Sequence, residues 1–171
     1  MKHMLYPKKI TNFSQINLVN TSSPVGKNDW SVFEKSLSKL KEQYPLTKYF
    51  EVERNYLDPR YLSASGLERL RKLRKALKKV NWLLPVYGGT GCADIVRRFS
   101  PEDLARLKKQ KPIVSGFSDT TFLINYLYFK IKLLTFHYSN ACGLFVQDNY
   151  KLFFDIISGE KNKFSFQEKN Y

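Results

Sequence analysis

Cysteine and histidine are scarce in this chain. Cys92 and Cys142 are the only cysteines among 171 residues, and His3 and His137 the only histidines. Two cysteines without a Cys-x-x-Cys spacing exclude a disulfide framework, and with so few histidines no zinc-type ligand set is expected. Long apolar runs are missing too. The most apolar stretch, residues 122–136, is interrupted by Asn125, Lys130 and Lys132, too polar to span a bilayer. Residues 1–9 carry charge but no apolar segment follows, so no secretory signal is expected. These absences lead to the expectation of a soluble cytoplasmic protein with no membrane partner. Acidic residues are the remaining shortage: 15 against 29 basic ones, for a net charge of +14.

An excess of that size raises the question of a polyanion partner. Much of it falls in residues 69–79, where Arg69, Arg71, Lys72, Arg74, Lys75, Lys78 and Lys79 alternate with Leu67, Leu70, Leu73 and Leu77. Leucines at that spacing mark an amphipathic helix, and its basic residues are expected on the solvated face. No RNA- or DNA-reading motif accompanies them, so no nucleic-acid partner is expected. With 43% hydrophobic and 15% aromatic residues, the chain can build one compact core.

Elements alternate along it. Strands are expected at 15–20, 47–52, 82–86, 112–115 and 133–136. Helices are expected from the Asn28/Asp29 cap through Trp30, Phe33, Leu37 and Leu40, then over 66–79, 120–130 and 149–158, with a last short run at 163–167. Ser100, Pro101 and Asp103 are spaced as N-cap, N1 and N3 of a further helix. Strand–helix alternation predicts an α/β fold with a mainly parallel sheet and helices on both faces. In such sheets ligands bind outside the carboxyl ends of the strands. Three polar or glycine-rich loops follow strands, at Ser22-Ser23, Gly88 to Gly91 and Gly116 to Asp119, and should converge on one edge.

The last of these carries the chemistry. Gly116-Phe117-Ser118-Asp119 joins a strand to a helix, placing Ser118 on a tight turn with main-chain N–H groups nearby to receive an oxyanion. The Gly88-Gly89-Thr90-Gly91 loop lacks the Lys-Ser/Thr of a P-loop and the full dinucleotide spacing. It fits better as the second wall of an oxyanion hole, although by itself the loop reads first as an ordinary tight turn. A serine nucleophile needs a base. His137 could reach the same edge or be a structural histidine, and His3 sits at the terminus.

Taken together, Tyr87-Gly88-Gly89-Thr90-Gly91, Lys111-Pro112-Ile113-Val114-Ser115-Gly116-Phe117-Ser118-Asp119-Thr120-Thr121 and Leu133-Leu134-Thr135-Phe136-His137 resemble the LD-carboxypeptidase family. These serine peptidases include the microcin C immunity peptidases. Ile16 to Pro24 is similar to the family's first strand and Ser-Ser-Pro turn, and Arg60-Tyr61-Leu62-Ser63-Ala64-Ser65 to the stretch before its second long helix. The resemblance implies a three-layer, doubly wound fold similar to class I glutamine amidotransferase-like domains. It also implies Ser118 as nucleophile, the N–H groups of Gly89 and Asp119 as oxyanion hole, no cofactor, and a murein-derived peptide as substrate. The implied reaction is removal of a terminal D-residue from an L,D peptide bond. Phe117, Thr90, Thr120 and Tyr138-Ser139 depart from the family pattern. Family members carry the glutamate and histidine of their triad on a second domain, which implies a division into an N-terminal extension (1–14) and a nucleophile domain (15–171) with that second domain absent. His137 matches a different family position. A separate C-terminal half or self-association could complete the site, and a non-catalytic remnant or peptide-binding module is the alternative.

Overall fold

The structure is a computed structural model describing residues 3–48, 62–146 and 149–161. Five parallel strands form one sheet in the order β2-β1-β3-β4-β5. They are β1 (Ile16–Val19), β2 (Leu46–Lys48), β3 (Trp82–Pro85), β4 (Ile113–Gly116) and β5 (Phe136–His137). The chain starts at β1, steps out to β2, then returns past β1 and proceeds in the other direction through β3, β4 and β5. This is the doubly wound arrangement, and its direction reverses between β1 and β3.

Alternation along the strands sorts the core into two halves. Trp82, Leu84 and Ile113 pack on one side with Ile16, Leu18, Phe33, Leu40, Phe153 and Ile157. Leu83 and Val114 pack on the other with Val19, Leu70, Leu73, Leu123 and Leu127. Successive strand residues point to opposite faces, so a strand apolar at every position must be covered on both. The cover on the first side is α1 (Trp30–Gln43) and α6 (Tyr150–Ser158). On the second it is α2 (Gly66–Ala76), the short α3 (Cys92–Val96), α4 (Pro101–Gln110) and α5 (Thr121–Ile131).

Local chemistry sets the helix ends. Ser100 accepts from the Asp103 N–H while Asp103 accepts from the Ser100 N–H, with Pro101 at the first turn. That reciprocal cap is the one the spacing predicts. Asp29 precedes α1 but makes no side-chain cap; its carboxylate instead accepts from the Tyr87 hydroxyl at 2.5 Å.

Several expectations shift. The strand expected at 133–136 lies at Phe136–His137, because Leu133 bridges Leu5 instead. Residues before β1 lie along the domain: the Leu5 N–H donates to Lys132 O and the Ile10 N–H to Ile157 O, and Ile10 is buried. The basic helix ends at Ala76; Leu70, Leu73 and Leu77 are buried and Arg71, Lys75, Lys78 and Lys79 exposed, as the spacing predicts, but two positions depart from it. Leu67 is exposed and Arg69 is buried at 1% exposure. The expected strand over 47–52 is β2 in its first residues; positions 49–52, Arg60, Tyr61 and the short run at 163–167 lie outside the described residues.

Candidate active site

β4 ends at Gly116, and within two residues the chain turns into the short helical turn that opens α5. Phe117 is still extended, at φ −144° and ψ 154°. Ser118 then takes φ +60°, a left-handed backbone that costs an L-residue about 1–2 kcal/mol. The strain lifts the side chain out of the sheet edge, and Ser118 is exposed while Gly116 and Thr120 on either side are buried. A non-glycine residue held in that region is stabilised only by its surroundings.

Those surroundings are specific. Asn140 faces both sides of the Phe117 peptide: Oδ1 lies 3.2 Å from Phe117 N and Nδ2 lies 3.2 Å from Phe117 O. Thr120 Oγ1 accepts from Phe117 N at 2.7 Å and lies 2.8 Å from Asn140 Oδ1. The peptide leading into Ser118 is therefore gripped by two side chains, one from the helix and one from the segment after β5. Nothing in the spacing of the sequence singled out Asn140.

The loop after β3 approaches from the other side. A Cβ on Gly88 would lie 3.2 Å from Ser118 Cβ and 3.3 Å from its Oγ. Gly89 has φ +97°, and a Cβ there would sit 2.2 Å from Ser23 Oγ; only glycine satisfies both demands. The turn after β1 is locked onto this loop, since the Ser23 N–H donates to Gly88 O at 3.0 Å and Ser23 Oγ accepts from the Thr90 N–H at 3.1 Å. The three loops do converge on the carboxyl edge of the sheet. Neither the Gly89 nor the Asp119 N–H has a hydrogen-bond partner among the described residues. Both stand on loops that flank Ser118.

A cleft of about 500 Å³ opens over this edge. Gly88, Gly89, Phe117, Ser118 and Asn140 line it together with Asp29, Tyr87 and Cys142. The Tyr87 hydroxyl is pushed up to about 12, mainly by its hydrogen bond to Asp29, with burial adding to it. Burial pushes the Cys92 thiol up to about 12 and the Cys142 thiol to about 11. Both thiols stay protonated at neutral pH; of the two serine hydroxyls lining the cleft, Ser118 is exposed, whereas Ser139 is buried and donates to Asn140 O.

His137 is exposed and pairs with Gly116 in the sheet register. Its ring centroid lies 5.5 Å from that of Phe117, and no hydrogen bond joins it to Ser118 among the described residues. Among those residues no group of three or more His, Cys, Asp and Glu could hold a metal ion, and no helix is long and apolar enough to cross a membrane.

Comparison with known proteins places this edge in context. The model of a family described as the LD-carboxypeptidase N-terminal domain matches residues 16–138. A Vibrio cholerae protein with a provisional carboxypeptidase name is 25% identical over 174 residues, covering 95% of this chain and 50% of the relative. The microcin self-immunity protein MccF, solved in complex with aspartyl sulfamoyl adenosine, superposes with a TM-score of 0.79 at 17% identity, over 95% of this chain and 50% of its own. A muramoyltetrapeptide carboxypeptidase from Oxalobacter formigenes does so with 0.51 at 21% identity, over 65% and 35%. At such identities the superpositions speak for the fold. The chain spans about half the length of the proteins it matches.

Proposed function

The chain belongs to the LD-carboxypeptidase family, and from that membership we propose that it is the nucleophile half of a serine carboxypeptidase acting on the terminal L,D bond of murein-derived peptides. Ser118 Oγ attacks the peptide carbonyl carbon. The electron pair moves onto the carbonyl oxygen, which the N–H groups of Gly89 and Asp119 receive. Collapse of the tetrahedral intermediate expels the amine of the terminal D-residue and leaves an acyl-serine for water to hydrolyse. The observation that carries this reading is the left-handed φ of +60° at Ser118, beside two N–H groups on separate loops that have no partner among the described residues. The backbone is already strained into the shape that acyl transfer uses.

The proton of Ser118 Oγ needs an acceptor. His137 is directed to the ring of Phe117, so the base comes from a histidine outside the described residues, on a second half or a partner chain. Loss of the base in a serine triad costs several orders of magnitude in rate. A second reading rests on that same arrangement of His137: a non-catalytic module that keeps the scaffold and the peptide cleft. The proposed setting is the cytoplasm, in turnover of cell-wall fragments.

The test is release of D-alanine from an L,D-linked murein tetrapeptide by the purified chain, with Ser118→Ala as control. Release that disappears in the variant supports the hydrolytic reading. Binding of the tetrapeptide without release, unchanged in Ser118→Ala, fits a half awaiting its base as well as the binding module; Ser118-dependent release restored by added imidazole supports the first, and no restoration the second.

A further inference from the structure

The basic helix hides its most consequential residue. Arg69 is 1% exposed and its guanidinium reaches three backbone carbonyls on separate segments: Nε donates to Ala64 O at 3.0 Å, and Nη1 to Thr21 O at 2.5 Å and Gly91 O at 3.0 Å. Nη2 has no hydrogen-bond partner among the described residues and lies 4.0 Å from Asp94 Oδ2. A buried arginine is expensive unless paired, and here it is spent on loop carbonyls far from the solvated face that the charge pattern suggests. Those carbonyls are well chosen. Thr21 lies two residues before Ser23, which holds Gly88 and Thr90; Gly91 lies two residues after Gly89. A Cβ on Gly91 would sit 2.9 Å from Nη1 and 3.0 Å from Nη2, so the guanidinium lies directly against that backbone, which has φ +109°.

We infer that Arg69 is the positioning residue of the glycine-loop side of the oxyanion hole: it ties the turn after β1 to the loop after β3 and so fixes the direction of the Gly89 N–H. The inference rests on the hydrolytic reading above. Arg69 touches neither Ser118 nor the cleft lining; it acts through Thr21, Ser23 and Gly91. Lysine cannot replace it, because a single ammonium cannot present the planar fork that serves several carbonyls at once.

Two measurements on Arg69→Lys test this, with Lys75→Ala, an exposed basic residue of the same helix, as charge control. The first is amide hydrogen exchange. The Thr90 N–H, bonded to Ser23 Oγ, is expected to exchange at least about 10-fold faster, while the β3 and β4 amides of Leu83 and Val114 keep their rates and Lys75→Ala changes nothing. Equal acceleration of all these amides, or none at Thr90, overturns the proposal, since an arginine that only stabilises the fold would move them together. The second is the kinetic split in D-alanine release: kcat is expected to fall about 100-fold, as for loss of one oxyanion donor, with KM within a few-fold. An unchanged kcat overturns the proposal. If the native chain releases no D-alanine without a base supplied from elsewhere, the exchange experiment alone decides whether Arg69 sets the loop. Should Arg69→Lys not fold, Arg69→Gln carries the same two measurements.

Discussion

The carboxylate of Asp119 accepts a hydrogen bond from the backbone N–H of Cys92 at 2.8 Å. The residue whose own N–H stands beside Ser118 thus anchors its side chain on the first turn of α3, directly after the glycine loop. The two proposed walls of the oxyanion hole are joined by this contact, and a charge-assisted bond to a helix N-terminus is among the stronger kinds. Removing it frees both walls at once.

Asp119→Ala is therefore expected to cost about 1–2 kcal/mol, a fall in Tm of roughly 3–6 °C for a chain of this size. Asp119→Asn recovers part of the loss through its amide oxygen. Thermal denaturation followed by circular dichroism checks both. Equal stability of Asp119→Ala and the native chain would remove the Cys92 contact from the account.

Neighbouring glycines of the loop after β3 separate folding from function. At Gly89 the left-handed φ and the 2.2 Å approach to Ser23 Oγ act together, so Gly89→Ala is expected to destabilise by about 2–4 kcal/mol. At Gly88 the added methyl meets Ser118 Cβ at 3.2 Å and its Oγ at 3.3 Å, contacts that a shift of a few tenths of an ångström relieves at the expense of the Ser118 position. Gly88→Ala should stay within about 1 kcal/mol of the native chain and still lose any Ser118-dependent hydrolysis. Urea denaturation of the two variants, read beside D-alanine release, separates the cases.

Much of this edge was legible in the sequence because its signals are local. A glycine two residues before Ser118 and an apolar run before it suffice to suggest a strand–turn–helix, and Ser100, Pro101 and Asp103 cap α4 through contacts only three residues apart. Arg69 and Asn140 were not legible. Arg69 lies where the leucine spacing predicts solvent, and its partners Thr21 and Gly91 are 48 and 22 residues away. Asn140 reaches Phe117 across 23 residues. β5 was displaced for the same reason: Leu133 is apolar enough for a strand, but its bridge partner Leu5 comes from a segment with no strand signal. Side chains that satisfy distant backbone groups leave no period to read.

Acid should reveal the role of a second arginine of α2, Arg74. Burial alone would raise the pKa of Asp103, but the Arg74 guanidinium and hydrogen bonds at Ser100 outweigh it and hold the carboxyl below its ordinary value. Arg74 Nη2 lies 3.0 Å from Asp103 Oδ2. A depressed folded-state pKa stabilises above the unfolded-state value near about 3.9 and ceases to do so as pH falls through the folded-state value. Arg74→Ala is expected to cost about 1–2 kcal/mol at pH 7, with the difference from the native chain narrowing below about pH 4. Urea midpoints measured at both pH values decide it; a difference independent of pH would assign the role of Arg74 to packing.

Strain at Ser118 makes the sharpest forecast, because it sets stability against chemistry at one atom. An L-residue at φ +60° costs about 1–2 kcal/mol, a cost that Ser118→Ala retains and Ser118→Gly relieves. Glycine returns part of that gain through its freer unfolded chain. Ser118→Gly is thus expected to be more stable than both Ser118→Ala and the native chain by about 1 kcal/mol, while neither variant hydrolyses peptide. Side-by-side urea denaturation reads the order directly. Ser118→Gly falling below Ser118→Ala would mean that the turn is relaxed, and the backbone argument for a nucleophile at this position would lose its basis. The expected order would show the chain retaining a destabilising residue where only reactivity accounts for it.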